Sequence, residues 1–336
     1  MSKKNSNVIL KEGFKSYKDF SNIYSTFDKK LNSLRKKTYL IAVSGGPDSL
    51  ALAALAKAYS YNNKCKIHFV LIDHNLRKNS SKEATSVKKL LKKHQIILNI
   101  LKNKKLINKN IQSQAREIRY SLLRDFCKKK KINTILTAHN LEDQVETFFI
   151  RLSRGSGLQG LSSMKYISKI NNNIALVRPL LEFNKNLLIK ISKLIFGKYF
   201  KDATNKNSKY LRTRIRNFRK TLEKSGINYD QIFKSINNLA SSRDTLDLYF
   251  NKIYEETITK KKNRILISLK KFNSLNQEMK MRVLSKSIKE LTKSYYSTRS
   301  KKVINLVEKL EIKNNTKFTL AGCFIFNEKN HIIIKK

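Results

Sequence analysis

The sequence predicts an α/β protein: a doubly wound parallel sheet followed by a second, mostly helical domain. Three observations predict it. Short apolar runs alternate with longer segments of helical spacing over the first half of the chain, a glycine-rich turn directly follows the first of those runs, and beyond about residue 216 the spacing is helical almost to the end. Strands that alternate with helices of this length are joined by crossovers, and such sheets hold their ligands beyond the carboxyl ends of the strands.

Residues 1–36 are polar and basic with scattered Phe and Tyr, and read as an N-terminal extension, a short leading helix or arm. Residues 37–215 form the α/β domain. Apolar runs at 38–43, 67–72, 96–101, 134–137 and 175–177 read as buried strands, and helical spacing at 49–60, 82–93, 112–130 and 141–154 follows the first four in turn. After Pro179 a further helix is expected over 184–197, then a basic stretch at 201–220. Residues 216–336 make the second domain, with helical spacing in Val303, Leu306, Val307 and Leu310 and two terminal apolar runs, 318–326 and 331–334, that resemble a hairpin.

The 336 residues carry 72 Lys and Arg against 24 Asp and Glu, a net charge of +48, which points to a polyanionic partner, either nucleic acid or an anionic membrane surface. Abundant Lys, Asn and Ile beside 2 Pro, 9 Gly and no Trp also fit a nucleotide-composition bias, although bias does not account for so few acids. No apolar run approaches the roughly 20 residues that span a bilayer, and residues 1–14 lack the apolar core of a secretory signal, so a soluble, cytoplasmic protein is expected. Cys65, Cys127 and Cys323 are dispersed, which disfavours a disulfide scaffold, a zinc ribbon or a paired-cysteine redox site.

The strongest local signal is Ser44-Gly45-Gly46-Pro47-Asp48-Ser49, between the first strand and its helix. Two glycines let the backbone turn sharply and approach a ligand, so that consecutive N–H groups face an anion at a helix N-terminus. Pro47 suits the first helical turn, and Asp48 and Ser49 also fit a plain helix cap. A carboxylate beside bound phosphates is repelled unless a cation lies between them, so Asp48 is the expected ligand of Mg²⁺.

Other candidates fall at strand ends and on helices. On the helix after the fourth strand, Leu141, Val145, Phe148, Phe149 and Leu152 share a face and Asp143 and Glu146 lie opposite, facing away from the core. Asn140 followed by Asp143 also reads as a cap with an acid in the first turn. His139, at the strand end, belongs in a substrate cleft, where the nearby carboxylates would hold Mg²⁺ or an ammonium group. Arg116 and Arg119 lie three apart on one helix and can reach one ligand; Asp73, His74 and Arg77 follow the second strand. Eight basic residues and one acid between 201 and 220 suit the passage of a phosphate backbone.

These motifs carry a family resemblance. The 44–49 turn resembles the pyrophosphate loop of the N-type ATP pyrophosphatases. With Asp73-His74-Asn75-Leu76-Arg77, Ala115-Arg116-Glu117-Ile118-Arg119-Tyr120, the run from Ala138 to Thr147, and Arg178-Pro179-Leu180-Leu181, the chain is similar to the tRNA(Ile)-lysidine synthetase family. The segment 202–216 extends the match, departing at Ala203, Asn207 and Thr213 where the family has Pro, Asp and Asn, and keeping Asp202, Asn205, Arg212 and Arg216. The resemblance covers about 37–216 specifically and implies a short form without the extra C-terminal domain of longer members.

The resemblance implies that ATP and Mg²⁺ sit over Ser44, Gly45, Gly46, Pro47, Asp48 and Ser49. ATP would adenylate the wobble cytidine of a tRNA(Ile) with a CAU anticodon, and free lysine would then displace AMP, switching the codon read from AUG to AUA. It further implies catalytic roles for Asp48, His139, Asp143 and Arg116, with the base open among the first three. Substrate or tRNA contacts are implied for Asp73, His74, Arg77, Arg119, Glu146, Asn205, Arg212 and Arg216. A homodimer is compatible with it. The rival readings are another tRNA-modifying enzyme of the class, such as a thiolase, and a non-catalytic RNA-binding protein.

Overall fold

The computed structural model describes residues 5–75, 79–104, 111–171, 173–200, 211–294, 298, 300–312 and 316–336. The chain divides into two compact units, one of Met1–Gly155 with Gly160–Asn237 and one of Ser156–Gln159 with Asn238–Lys336.

The first unit starts with α1 (Ser6–Lys11) and α2 (Lys18–Ser33), then β1 (Thr38–Val43), α3 (Pro47–Asn62), β2 (Lys66–Asp73), α4 (Ser80–Lys92), β3 (Leu98–Lys102), α5 (Ile111–Lys130) and β4 (Thr134–Leu136). It continues through α6 (Leu141–Leu152), the second half of the short α7 (Leu158–Leu161), β5 (Ile167–Asn171), β6 (Ile174–Val177), α8 (Lys185–Phe196), α9 (Leu211–Lys224) and the start of α10 (Tyr229–Thr257). Six strands lie in the order β3-β2-β1-β4-β6-β5, all parallel except β5, which runs antiparallel to β6.

Alternation along β1 shows why helices cover both faces of the sheet. Tyr39, Ile41 and Val43 point into a core with Leu50, Leu52 and Leu55 of α3 and Leu188, Ile191 and Ile195 of α8. Leu40 points the other way, to Val70, Ile135 and Leu123 and Cys127 of α5. α3 is buried nearly all round, and its alanines, Ala51, Ala53, Ala54, Ala56 and Ala58, allow close approach on every side.

The leading segment is more than an arm. Ile9, Leu10 and Phe14, together with Ile23, Phe27 and Leu31 at helical spacing on α2, are fully buried in the α3 core. The Tyr39 hydroxyl donates to Leu31 O at 3.0 Å and the Tyr59 hydroxyl to Asn32 Oδ1 at 2.7 Å, tying α2 to the first strand and helix.

α9 lies across the boundary expected at 216 and packs in the first unit: Leu222 joins Leu141 and Val145 of α6 and Tyr229, Ile232 and Ile236 of α10 in a separate apolar cluster.

The second unit contains the rest of α10, then β7 (Ile258–Lys261), β8 (Arg264–Ser268), α11 (Leu269–Asn273), α12 (Gln277–Thr292), α13 (Ser300–Ile312), β9 (Phe318–Leu320), β10 (Cys323–Glu328) and β11 (His331–Lys335). The expected terminal hairpin is β10 with β11, but it sits inside a five-stranded antiparallel sheet of order β7-β8-β11-β10-β9. Ile265, Ile267, Ile332 and Ile334 from its strands pack against Val283 and Leu284 of α12 and Val303 and Val307 of α13. Among the described residues no helix is long and apolar enough to cross a membrane.

Candidate active site

In the first unit, β1 pairs with β2 on one side and β4 on the other, so the strand order reverses between β1 and β4. The crevice beyond such a reversal is where doubly wound sheets bind ligands. The turn after β1 and the segment His139–Asn140 after β4 flank this point.

The turn is built by its two serines. Ser49 Oγ accepts from Ser44 N–H at 3.1 Å and donates to Gly46 O at 2.9 Å, and Ser44 Oγ donates to Ser49 Oγ at 3.1 Å. Gly45 has φ +85°, and a Cβ there would meet Val87 Cγ2 at 2.6 Å, so only glycine fits. Gly46 is the N-cap of α3 and Pro47 its first residue, leaving the first N–H groups of the helix turned toward the crevice.

Asp48 makes no cap hydrogen bond. Its Oδ1 is buried with no partner among the described residues, while Oδ2 lies 3.8 Å from Lys185 Nζ. Burial pushes its carboxyl up to about 6; Lys185 opposes the rise and the nearby Asp143 adds to it. An orphaned carboxylate oxygen with a second carboxylate close by suits a divalent cation. Among the described residues no three His, Cys, Asp or Glu side chains converge to hold a metal.

Asp143 and Asn140 form a reciprocal cap of α6: Asp143 N–H donates to Asn140 Oδ1 at 2.9 Å and Asn140 N–H to Asp143 Oδ2 at 3.2 Å. The cap fixes the Asp143 carboxylate near Asp48 and His139. Asp143 raises the pKa of His139, but burial and the Arg178, Arg116 and Arg212 guanidiniums hold the imidazole down at about 4. His139 Nδ1 shares a 3.0 Å hydrogen bond with Thr137 Oγ1. Asp143 thus interacts with both Asp48 and His139, and Arg116 with His139.

Glu146 differs from expectation. The face of α6 that carries it is covered by α9: Glu146 is only 1% exposed, receives Arg216 Nε at 2.7 Å and Arg216 Nη2 at 3.1 Å, and pairs with Arg212 Nε at 3.2 Å. A helical wheel shows which residues share a face but not which faces are covered. Glu146, Arg212 and Arg216 therefore clamp α9 to α6. Leu152, expected in the apolar face, is 49% exposed.

Asp73 is likewise engaged internally, accepting from Asn75 N–H at 3.0 Å and Ser81 Oγ at 2.6 Å; burial raises its pKa, but these bonds outweigh burial and hold it below the usual range. His74 Nε2 lies 3.4 Å from Arg119 Nη2, and burial together with Arg119 lowers the imidazole to about 4. Arg77, Asp202 and Asn205 lie outside the described residues.

Two residues not singled out from the sequence complete the site. Glu142, buried, accepts from Lys185 N–H at 2.8 Å and from Arg219 Nη1 at 3.2 Å. Lys185 is the first residue of α8, capped by Asn184 Oδ1, which accepts from Leu187 N–H at 2.9 Å. Their signal was the predicted start of a helix at 184, which places Lys185 in a first turn without showing what it faces.

Comparison with known proteins shows the family. The PP-loop domain family matches residues 20–221. A tRNA(Ile)-lysidine synthase of Wolbachia pipientis is 36% identical over 301 residues, covering 88% of this chain and 69% of that protein. One from Rickettsia typhi is 29% identical over 334 residues, covering 93% and 73%. Among solved structures, a U34-tRNA thiolase from Methanococcus maripaludis aligns with a TM-score of 0.55 at 17% identity over 65% of this chain and 78% of its own, a likeness of fold. With a PP-loop at the sheet reversal and relatives of this identity over most of its length, the chain belongs to the tRNA(Ile)-lysidine synthase family of PP-loop proteins.

Proposed function

We propose that the protein uses ATP to join free lysine to C2 of the wobble cytidine in the CAU anticodon of tRNA(Ile), through an adenylated cytidine, releasing pyrophosphate and then AMP. The observation that carries this reading is the meeting of the 44–49 turn with His139, Asp143 and Asp48 at one sheet reversal. An anion cradle, a carboxylate pair and a neutral imidazole there face one crevice.

In the first step the phosphates lie against the N–H groups of the turn and the N-terminus of α3. Cytidine O2 attacks the α-phosphorus, the bond to the β-phosphate breaks, and pyrophosphate leaves with its electron pair. Arg116 adds positive charge where negative charge develops. A divalent cation held by Asp48 and Asp143 would neutralise phosphate charge.

In the second step the lysine amine attacks C2 and expels AMP, and the amine must give up a proton. In the tautomer whose Nδ1–H donates to Thr137 Oγ1, uncharged His139 leaves Nε2 to accept that proton; burial, which holds the imidazole down at about 4, makes it a weak base. The Asp143 carboxylate stabilises the imidazolium so formed, since its charge already favours that state.

The surface of α9 that points away from its clamp supports a tRNA contact. Arg214, Asn217, Phe218 and Lys220 are exposed there, pairing cations for phosphates with an aromatic ring, 50% exposed, on which a base can stack. A tRNA substrate is consistent with a cytoplasmic protein.

The thiolase alternative finds little support in the thiols. Cys127 and Cys323 are buried, and burial pushes Cys65 up to about 11 and Cys127 up to about 12, far from a reactive thiolate. Incubation of protein, ATP, lysine and an unmodified tRNA(Ile) transcript, followed by mass analysis of the nucleosides, tests the proposal. Lysine added to cytidine with one pyrophosphate released per modification is expected, and pyrophosphate release that depends on a sulfur donor instead of lysine would refute it.

A further inference from the structure

Among the described residues Lys185 is the cation paired with the carboxylate of the turn, Asp48, and its environment shows how it is held there. Its own N–H donates to buried Glu142 Oε2 at 2.8 Å, which fixes the start of α8, and Leu188, Ile191 and Ile195 pack that helix against α3. The backbone from which Lys185 reaches is therefore rigid with respect to the 44–49 turn.

The side chain itself is not locked. Nζ lies 3.8 Å from Asp48 Oδ2, well beyond the roughly 2.7–2.9 Å of a charge-assisted hydrogen bond. It makes no other contact among the described residues, and the side chain is 34% exposed. A structural ion pair at this depth would close to contact, as Arg216 and Glu146 do at 2.7 Å. Lys185 instead keeps three N–H donors within one side-chain swing of the anion cradle.

We propose that Lys185 is a phosphate-binding residue of the adenylation step. When ATP enters the turn, the ammonium leaves Asp48 and pairs with the β- and γ-phosphates, and it stabilises the pyrophosphate as the α–β bond breaks. Lys185 transfers no proton in this step; the electron pair of the broken P–O bond departs with pyrophosphate. This inference rests on the adenylating reading of the site.

The test uses the full chain with MgCl₂ and compares wild type, Lys185→Ala, Lys185→Gln and Lys185→Arg. Three quantities are read: binding of inorganic pyrophosphate by calorimetry, kcat and KM for ATP in pyrophosphate release with tRNA(Ile) and lysine, and tRNA affinity by filter binding. Removing one preorganised donor to a developing charge slows such steps by about 10²–10³-fold, so K185A and K185Q are expected to lower kcat on that scale. Both should also weaken pyrophosphate binding by about tenfold or more, the 1.4 kcal/mol lower end for a hydrogen bond to a charged group. tRNA affinity should stay unchanged, and K185R, which keeps the charge, should recover most of the loss in kcat.

Pyrophosphate affinity and kcat at the wild-type level in K185A overturn the inference. So does equal loss of tRNA and pyrophosphate affinity in both K185A and K185Q, which would mark a structural role. If the wild type releases no pyrophosphate with tRNA and lysine, the lysidine reading fails by itself, and pyrophosphate binding still decides the role of Lys185.

Discussion

Replacing Arg216 with Ala separates two roles for the basic helix α9. If Arg216 binds a tRNA phosphate, its loss weakens tRNA binding and flattens the salt dependence by about 0.7–0.9 log-log units for the lost contact. If it neutralises Glu146, its loss leaves a carboxylate whose side chain is 2% exposed without two hydrogen bonds of 2.7 and 3.1 Å. Removing one partner of a buried pair costs about 3–5 kcal/mol. Arg212 Nε remains at 3.2 Å from Glu146 Oε2, which puts Arg216→Ala at the low end, about 3 kcal/mol, and the Arg212→Ala, Arg216→Ala double variant higher. Replacing both partners, Glu146→Leu with Arg216→Met, should recover much of the loss, because no buried charge then remains uncompensated. Urea unfolding followed by far-ultraviolet circular dichroism reads the stability, and tRNA binding at several salt concentrations reads the slope. A wild-type unfolding midpoint in Arg216→Ala, together with a flattened salt slope, would refute the clamp and make Arg216 a phosphate contact.

Three further outcomes are expected. Asp48→Asn should abolish adenylation yet stabilise the metal-free chain. A carboxyl with its pKa raised to about 6 in the folded state is penalised when charged, so the penalty is absent below about pH 4, grows between about 4 and 6 and is full above; at about 1.36 kcal/mol per pH unit of displacement it approaches 3 kcal/mol at pH 8. Unfolding in chelator at pH 8 and pH 4 checks this, and equal stability of variant and wild type at pH 8 contradicts it. Gly45→Ala should distort the turn and weaken ATP binding, since its φ of +85° and the 2.6 Å approach to Val87 Cγ2 both oppose a Cβ; Val87→Ala should restore only part, and unchanged calorimetric ATP affinity would count against the cradle. Phe27→Ala should cost about 3–5 kcal/mol, whereas a residue on a loose arm would cost within about 0.5, as urea unfolding can distinguish.

What the sequence revealed and what it concealed divide along sequence distance. The β1–turn–α3 and β4–α6 units are local: period-2 and period-3.6 patterns and the Asn140–Asp143 cap lie within a few residues of one another, so the strand ends and the residues on them could be read directly. The covering of α6 by α9 joins Glu146 to a residue 70 positions away, and the Lys185–Asp48 approach joins the starts of two helices far apart in sequence; no periodicity records such pairs. The second unit was harder for a different reason. β7 is Ile-Thr-Lys-Lys and only one of its four residues is apolar, so an edge strand that anchors a five-stranded sheet carries almost no alternation to detect.

The net charge of +48 also changes meaning once its members are placed. Arg212, Arg216 and Arg219 look, in sequence, like part of a phosphate-binding tract, yet each is engaged by Glu146 or Glu142. The chain has only 24 acids, and five of them, Asp48, Asp73, Glu142, Asp143 and Glu146, lie at the strand ends or in the first two turns of the helices around the sheet reversal. An acid on the open surface of so basic a protein would cancel the field that attracts a polyanion. These carboxylates do so least where they stand, because three are neutralised by arginines or local hydrogen bonds, and Asp48 and Asp143 lie in the crevice where ATP would bring its own countercharge. The same arrangement leaves the cations Arg214 and Lys220 of α9 exposed. If the proposed division holds, long-range attraction and local chemistry come from different residues of one helix and its neighbours, and charge reversal at Arg214 or Lys220 should change tRNA affinity without changing ATP affinity.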